Sequence, residues 1–481
     1  MGNMRRQKKK SRIRRAVRWL LRLVAVAVLV SVVAGYAPFA RCPEVGDESA
    51  FAARAAEMKA GVDSGDRAMI LESRADALDE RLRLMQLAKE EIIIASYDCR
   101  DGESTRDMMA VALERADAGV RVRLLADGVA GRIYMQPSRL FRALEAHPNV
   151  EIRFYNLLTQ YTPWRHMGRM HDKYVIVDGL GYILGGRNMF DHFIGEYRWA
   201  RQSRDREALI YNSDGSPDSS LYRVKEYFEG MWAHPQAAAF GKACGDADRD
   251  AVYGMLRERL AALKREKPEL FAPADYAAMT DATRGVWLIS NPTGIYAKRP
   301  EAFAQLCALM ETAEEGIVIH SPYAALNGWM RGRLSAIAAK VPVTLMVNAV
   351  ENGANVVASG DYLYHRREVL STGMSVLEYA GGDSYHGKSI AIDGDIAVIG
   401  SYNLDLRSTY VDTELMLVIH SPAVNAKLRG HLDALHADCR AVHADGTGEA
   451  PEGLDIPPLP LWKKAALYAI GGAMQLVRNL V

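Results

Sequence analysis

Residues 170–179 read MHDKYVIVDG and residues 385–394 read YHGKSIAIDG. In each stretch a histidine is followed at +2 by a lysine and at +7 by an aspartate that precedes a glycine. The match continues beyond the quoted residues. His171 is followed by Lys173, Asp178, Gly185, Gly186 and Asn188, and His386 at the same offsets by Lys388, Asp393, Gly400, Ser401 and Asn403. Further on, DREALI at 205–210 is matched by DTELML at 412–417. Each of these carries an acidic pair two residues apart, Asp205 with Glu207 and Asp412 with Glu414. A strand sends alternate side chains to the same side, so His and Lys at i and i+2 point together into whatever cleft the strand borders. One such histidine would be unremarkable. Two copies with a shared set of offsets predict a chain of two similar halves whose motif strands face one site.

The surroundings of each motif repeat as well. EEIIIASYD, MMAVALERADAG and VRVRLLADG read as strand, helix and strand, and EEGIVIHSPY, RGRLSAIAAK and VPVTLMVNAV repeat that order. Strands alternating with helices predict a parallel sheet, so each half is expected to be an α/β unit with a mixed, mostly parallel sheet flanked by helices. The expected organisation is a basic N-terminus and membrane anchor over 1–41, a helical or irregular lead-in over 42–73 and a first motif lobe over 74–234. An inter-lobe connection over 235–300, a second motif lobe over 301–450 and a Pro-rich start with an amphipathic helix over 451–481 complete it. In the last of these, the Gly-Gly pair at 471–472 is expected to break the apolar run, which favours an interfacial helix over a second span.

Charge is distributed unevenly. Of 60 basic residues eleven fall within 1–41, where there is no Asp or Glu, so the remaining 440 residues hold 49 basic against 59 acidic side chains. A body that acidic is a poor general binder of nucleic acid, whose affinity comes largely from neutralised phosphates, and no nucleic-acid partner is expected. The basic start runs into LVAVAVLVSVVAGYAPFA, and Leu23 to Ala40 are 18 residues without a charge. That is near the minimum for a spanning helix, and ten basic residues before Leu23 would hold its N-terminal side in the cytoplasm, leaving the body outside. The alternative is a cleaved signal peptide, against which Pro38 stands where cleavage would fall. The five cysteines are odd in number, widely spaced and never paired as CxxC, which argues against a zinc site and a disulfide framework.

The residues favour a definite chemistry. Two imidazoles across a pseudo-twofold axis, each with a lysine and an asparagine, make a cationic, donor-rich pocket suited to a phosphodiester. With an ordinary pKa near 6.5, one histidine can be neutral and attack phosphorus while the other is protonated and gives its proton to the leaving oxygen. The covalent phosphohistidine then splits the displacement into two easier steps. A carboxylate on the other ring nitrogen would fix the tautomer, and Glu207 and Glu414 are the candidates. Asp178 and Asp393 are either part of the catalytic set or supports for the turn at the following glycine. No metal and no cofactor is called for.

HDKYVIVD with GGRN, and HGKSIAID with GSYNLDLRS, resemble the paired HKD motifs of the phospholipase D superfamily, over roughly residues 75 to 440. Within it the GGRN and GSYNLDLRS stretches, the HSPY strand at 320–323 and the membrane-associated ends look most like bacterial cardiolipin synthases. The resemblance implies a pseudo-twofold, two-lobe α/β phospholipase D fold with the site between the lobes. It implies a catalytic set of His171, Lys173, Asp178, His386, Lys388 and Asp393, with Asn188, Asn403, Ser401 and Gly186 around the substrate. By motif position it makes His171 the nucleophile and His386 the general acid, an order that the symmetry of the sequence leaves open. It implies a phospholipid substrate and a membrane location, with transfer of a phosphatidyl group to a lipid hydroxyl. Hydrolysis to phosphatidic acid is the alternative, and nuclease action a more distant one. Both motif copies lie in one chain, so no oligomer is required for the site. IIIASYDCRDG, and AALNGW after HSPY, depart from the family pattern and border the expected cleft.

Overall fold

The computed structural model describes residues 2–158, 162–353 and 355–481. Each motif strand lies in the middle of a nine-stranded sheet. Across the first sheet the strands run Asp281–Ala282, Asp66–Leu71, Glu207–Asn212, Gly181–Gly185, Lys173–Val177, Glu91–Ser96, Arg121–Asp127, Val150–Tyr155 and Ala237–Ala239. Across the second they run Val286–Ser290, Leu415–His420, Ile396–Gly400, Ser389–Ile392, Ile317–His320, Val343–Asn348, Ser375–Tyr379, Cys439–Val442 and Gly448–Glu449. From the Asp66–Leu71 and Val286–Ser290 strands inward the two orders correspond strand for strand, so the sequence repeat is a repeat of topology.

Both sheets are mixed, but the expectation of mostly parallel strands is corrected. In the first sheet only Glu91–Ser96, Arg121–Asp127 and Val150–Tyr155 pair in parallel. The motif strand, its neighbours and both edges pair antiparallel. The reason is loop length. Helical crossovers join the parallel trio, whereas three residues join Lys173–Val177 to Gly181–Gly185, and so short a link permits only an antiparallel pair. The second sheet repeats this, with Ile317–His320, Val343–Asn348 and Ser375–Tyr379 parallel.

The two sheets face each other. Ile93, Leu125, Tyr174 and Ile176 of the first share one buried cluster with Ala391, Ile399 and Leu417 of the second. Val224 and Phe228 of helix Ser220–Trp232, and Val424 and Leu428 of helix Pro422–His436, complete it. Burial on both faces accounts for the unbroken apolar runs that marked the strands, such as IIIA at 92–95, where every residue is buried.

The segments expected to flank the lobes contribute to them. The lead-in supplies strand Asp66–Leu71 to the first sheet, while its helix Ser49–Ala60 packs on Glu301–Met310 of the second lobe. The connection supplies Ala237–Ala239 to the first sheet and Val286–Ser290 to the second, and its helix Asp246–Glu266 packs on helix Glu103–Asp117. At the end of the chain, helix Leu461–Met474 runs through the Gly-Gly pair rather than breaking there, and it lies against helix Val356–Leu370. The approach explains the glycine, since a Cβ on Gly471 would collide with the backbone of Gly360. At the other end Gly2–Tyr36 forms one helix, and Arg14–Phe39 is long and apolar enough to cross a membrane, with almost none of it buried against the body.

Candidate active site

The strand pairings decide where the site lies. Glu91–Ser96, Arg121–Asp127 and Val150–Tyr155 end at one edge of the first sheet, and the antiparallel pairing of Ser96 with Lys173 puts the start of the motif strand at that same edge. Tyr174 pairs with Leu184 and Gly185 with Glu207, so Gly186, Asn188, Asp205 and Glu207 gather there too. In the second lobe the pairings of His320 with Ser389 and of Gly400 with Met416 collect His386, Lys388, Ser401, Asn403 and Glu414 in the same way. Asp178 and Asp393 follow the far ends of the motif strands and belong to the opposite edge.

Each motif histidine is held by the other lobe. Nδ1 of His171 lies 2.8 Å from Oε1 of Glu414, and Nδ1 of His386 lies 2.6 Å from Oδ2 of Asp205. The backbones are crossed as well: His171 N donates to Thr413 Oγ1 at 3.1 Å and His386 N to Arg204 O at 2.7 Å. In both halves the lysine two residues on donates to the carbonyl of its histidine. Lys388 Nζ also stands 2.8 and 3.1 Å from the two ring nitrogens of His386.

Glu207, expected on a histidine, is instead bound through both oxygens to Arg81 at 2.6 and 2.7 Å, with no exposure. The carboxylate on His386 is Asp205, two residues earlier in the same acidic pair. Asp412, which corresponds to Asp205, accepts from Arg169 N and pairs with Arg407. Equivalent positions therefore do different work in the two halves.

One residue in each glycine turn accompanies this difference. A Cβ on Gly186 would run into the carboxylate of Asp205, so the space that carboxylate occupies beside His386 exists because residue 186 is glycine. At the matching position Ser401 donates to Glu414 Oε2 at 2.5 Å, and Ser408 donates to Oε1 at 2.6 Å. The two asparagines differ too: Asn188 Oδ1 accepts from Asp98 N at 3.3 Å, while Asn403 Oδ1 is buried with no partner among the described residues.

The electrostatics follow burial. Desolvation pushes Glu414 up to about 8 against the pull of Lys173, Ser401 and Ser408, and holds His171 well below its ordinary range, with Lys173 and Lys388 adding to the effect. Burial thus disfavours the charged form of both partners. His386 is lowered to about 3 by burial and by Lys388. Burial alone would raise Asp205, but Lys388 and His386 hold it below the usual carboxylate range. Lys173 is lowered to about 8 and Lys388 to about 7 by burial, opposed by Glu414 and Asp205 respectively.

Asp178 and Asp393 stand apart from these groups. Asp178 has φ 50° and accepts from the backbone N–H groups of Lys89, Glu90 and Glu91. Asp393 has φ 48° and accepts from Glu314, Glu315 and Gly316, with Lys59 on its second oxygen at 2.8 Å. Both fasten the turn after the motif strand to the start of the neighbouring strand. Their inclusion in the catalytic set is corrected accordingly. Among the described residues no group of three or more His, Cys, Asp or Glu is placed to hold a metal ion.

Sequence reasoning passed over several contributors. Ser408 and Thr413 secure the Glu414 and His171 arm, and their hydroxyls gave no signal beyond lying near the acidic pair. Tyr97 stacks edge-on against His171 at 5.1 Å and Phe193 against His386 at 5.1 Å.

The family model for "Cardiolipin synthase, PLD-like domain" matches residues 82–232 and 306–436, which together make up more than half of the chain. Among curated proteins, cardiolipin synthase C of Escherichia coli is 25% identical over 400 residues, covering 73% of this chain and 80% of that one. An uncharacterized protein of Helicobacter pylori is 22% identical over 406 residues, covering 75% and 78%. The solved structure of phosphatidylserine synthase from Haemophilus influenzae superposes with a TM-score of 0.61 at 14% identity, covering 88% of this chain and 96% of that one, a likeness of fold. The chain belongs to the phospholipase D-like cardiolipin synthase family, and so to the phospholipase D superfamily of enzymes.

Proposed function

We propose that this chain is a membrane-associated phosphatidyltransferase that moves a phosphatidyl group from phosphatidylglycerol, or a related lipid, to the hydroxyl of a second lipid through a covalent phosphohistidine. The observation that carries the reading is the crossed arrangement of the histidines. With each Nδ1 tied to a carboxyl group of the opposite lobe, each Nε2 is the nitrogen available to the substrate, that of His386 with Lys388 Nζ 3.1 Å away. Lys173 and Lys388, with Asn188 and Asn403, would seat the phosphodiester anion.

The two arms suit two roles. His171, neutral with its proton on Nδ1 directed at Glu414, attacks phosphorus through the unprotonated Nε2, and the bond from phosphorus to the leaving glycerol oxygen breaks. His386, whose Nδ1–H is directed at ionised Asp205, gives its Nε2 proton to that oxygen. The anionic phosphodiester offsets the lysines and raises His386 so that it can hold this proton. In the second half His386 takes a proton from the incoming hydroxyl, whose oxygen attacks phosphorus as the bond to His171 Nε2 breaks.

The apolar helix over 14–39 supports anchoring in a membrane, and the basic residues before it would keep its start in the cytoplasm and the body outside. Protease added to intact cells should then digest the body, and full protection would refute that topology. The activity is tested with membranes containing the protein or its His171→Ala variant, incubated with phosphatidylglycerol and read by mass spectrometry. Cardiolipin from the intact protein alone is the expected result. Phosphatidic acid in its place would make water the acceptor, and no lipid product would refute the reading.

A further inference from the structure

Four stretches leave the sheet edge that bears His171: residues 97–102, 128–138, 162–172 and 186–206. They expose apolar side chains together, with Ile133 56% exposed, Tyr134 37%, Trp164 41% and Trp199 40%. Basic residues flank them, since Arg132, Arg198 and Arg201 are also exposed. The rings connect inward. Trp199 lies 5.4 Å from Phe190, Phe190 5.3 Å from Phe193, and Phe193 5.1 Å from the imidazole of His386. The Arg100 guanidinium sits between Tyr134 and Phe190, 4.0 and 4.2 Å from the two ring centres, and Asp98 holds it at 2.6 Å. Its charge is neutralised there, so it acts as a flat plate that binds the rings into one continuous rim.

The membrane helix arrives at the same edge. Its exposed stretch ends near Gly35, which is buried, and its end packs on Pro163–Arg165, beside Trp164. Asn479 donates to the carbonyl of Phe39 at 3.0 Å, and Arg407 N to that of Val481 at 2.9 Å, which ties the end of the apolar helix, through the C-terminal residues, to helix Leu406–Tyr410 just before Asp412 and Glu414.

We infer that this rim is a bilayer-docking edge, with Tyr134, Trp164 and Trp199 resting among the lipid headgroups around the site. Aromatic side chains with an apolar body and a polar tip favour that depth, and adjacent arginines favour an anionic headgroup layer. The occupant is a lipid surface because the helix long and apolar enough to enter one ends against the loop that carries Trp164. The inference rests on the phospholipid reading of the site.

The test uses the full chain reconstituted in vesicles of phosphatidylglycerol and phosphatidylcholine, a fraction of the latter brominated near the headgroup end of the acyl chains. The difference in tryptophan emission between the wild type and Trp199→Phe isolates residue 199 from the other six tryptophans. Quenching of that difference by brominated lipid is expected, and an unquenched difference overturns the inference. In a second arm, Trp199→Ala should raise the apparent KM for vesicle phosphatidylglycerol about tenfold with kcat unchanged, and leave turnover of a dispersed short-chain analogue unaltered. Equal losses on both substrates would place Trp199 in the site rather than at the membrane and would overturn the rim. A wild type that makes no lipid product refutes the proposed function, while the quenching still decides whether the rim meets the bilayer.

Discussion

The His171 arm and the His386 arm occupy equivalent places in two halves of one duplicated fold, yet they are built from different parts. His171 is held by Glu414, a carboxyl pushed up to about 8 by burial and bound by Ser401 and Ser408. His386 is held by Asp205, an ionised carboxylate that fits only because residue 186 lacks a side chain. Histidine, lysine and asparagine recur in both halves, whereas the acid and the turn residue differ. Duplication alone supplies two interchangeable imidazoles. On the mechanism proposed above, the differing carboxyls suit one of them to be the nucleophile and the other the proton donor.

The sharpest way to break this comparison is to remove each histidine in turn. His171→Asn should lose transfer by about 10⁴-fold or more with every donor. His386→Asn should be as poor with a lipid alcohol as leaving group, yet recover with a p-nitrophenyl ester of the phosphatidyl group, whose phenolate departs without a proton. Recovery in the His171 variant instead would exchange the roles.

The turn residues come next. Gly186→Ser should push Asp205 off His386 and reduce kcat about 10²- to 10³-fold, with recovery on the same activated ester. Ser401→Gly removes one hydrogen bond from Glu414 and should cost about tenfold, close to the value of one such bond. Effects of equal size in the two variants would show the arms to be equivalent after all.

The lysines give a pH signature. Lys388 and Lys173, lowered to about 7 and about 8 chiefly by burial, hold an anion only while protonated. In the free enzyme kcat/KM should therefore fall as pH rises through about 7 to 8, and a flat profile to pH 9 would contradict their part in binding.

The smallest effects on chemistry belong to the motif aspartates. Asp178→Ala or Asp393→Ala should each lower stability by about 1–3 kcal/mol, read by denaturant titration, and leave kcat within a few-fold. Burial opposes the shift of Asp393, but Lys59 and the backbone N–H groups hold its folded pKa below the unfolded value. Its contribution is thus present above the unfolded pKa near 4 and lost as pH falls through the lower folded value, so wild type and Asp393→Ala should converge in acid.

Much of this was legible in the residues, for identifiable reasons. The repeat offsets carried both motif strands and the meeting of the two halves, because a strand keeps side chains two apart on one face. The acidic pairs were visible too, but not which member reaches a histidine. Period two holds only inside a strand, and Asp205 lies in the loop before Glu207–Asn212, where that constraint is absent. Nor could spacing reveal that Arg81, 126 residues away, engages Glu207. Parallel strands were overestimated because the helical crossovers stand out in sequence while the three-residue turn at 178–180 does not. The Gly-Gly pair at 471–472 suggested a break because its partner, Gly360, is distant in the chain.

The central claim is that the two histidines divide the labour, with His171 bearing the covalent intermediate. It is tested most directly by mixing His386→Asn with the p-nitrophenyl phosphatidyl ester, quenching in alkali, where a phosphohistidine persists, and locating the adduct by peptide mass spectrometry. A phosphatidyl group on the peptide bearing His171 is the predicted result. Release of nitrophenol with no adduct on His171 would contradict it.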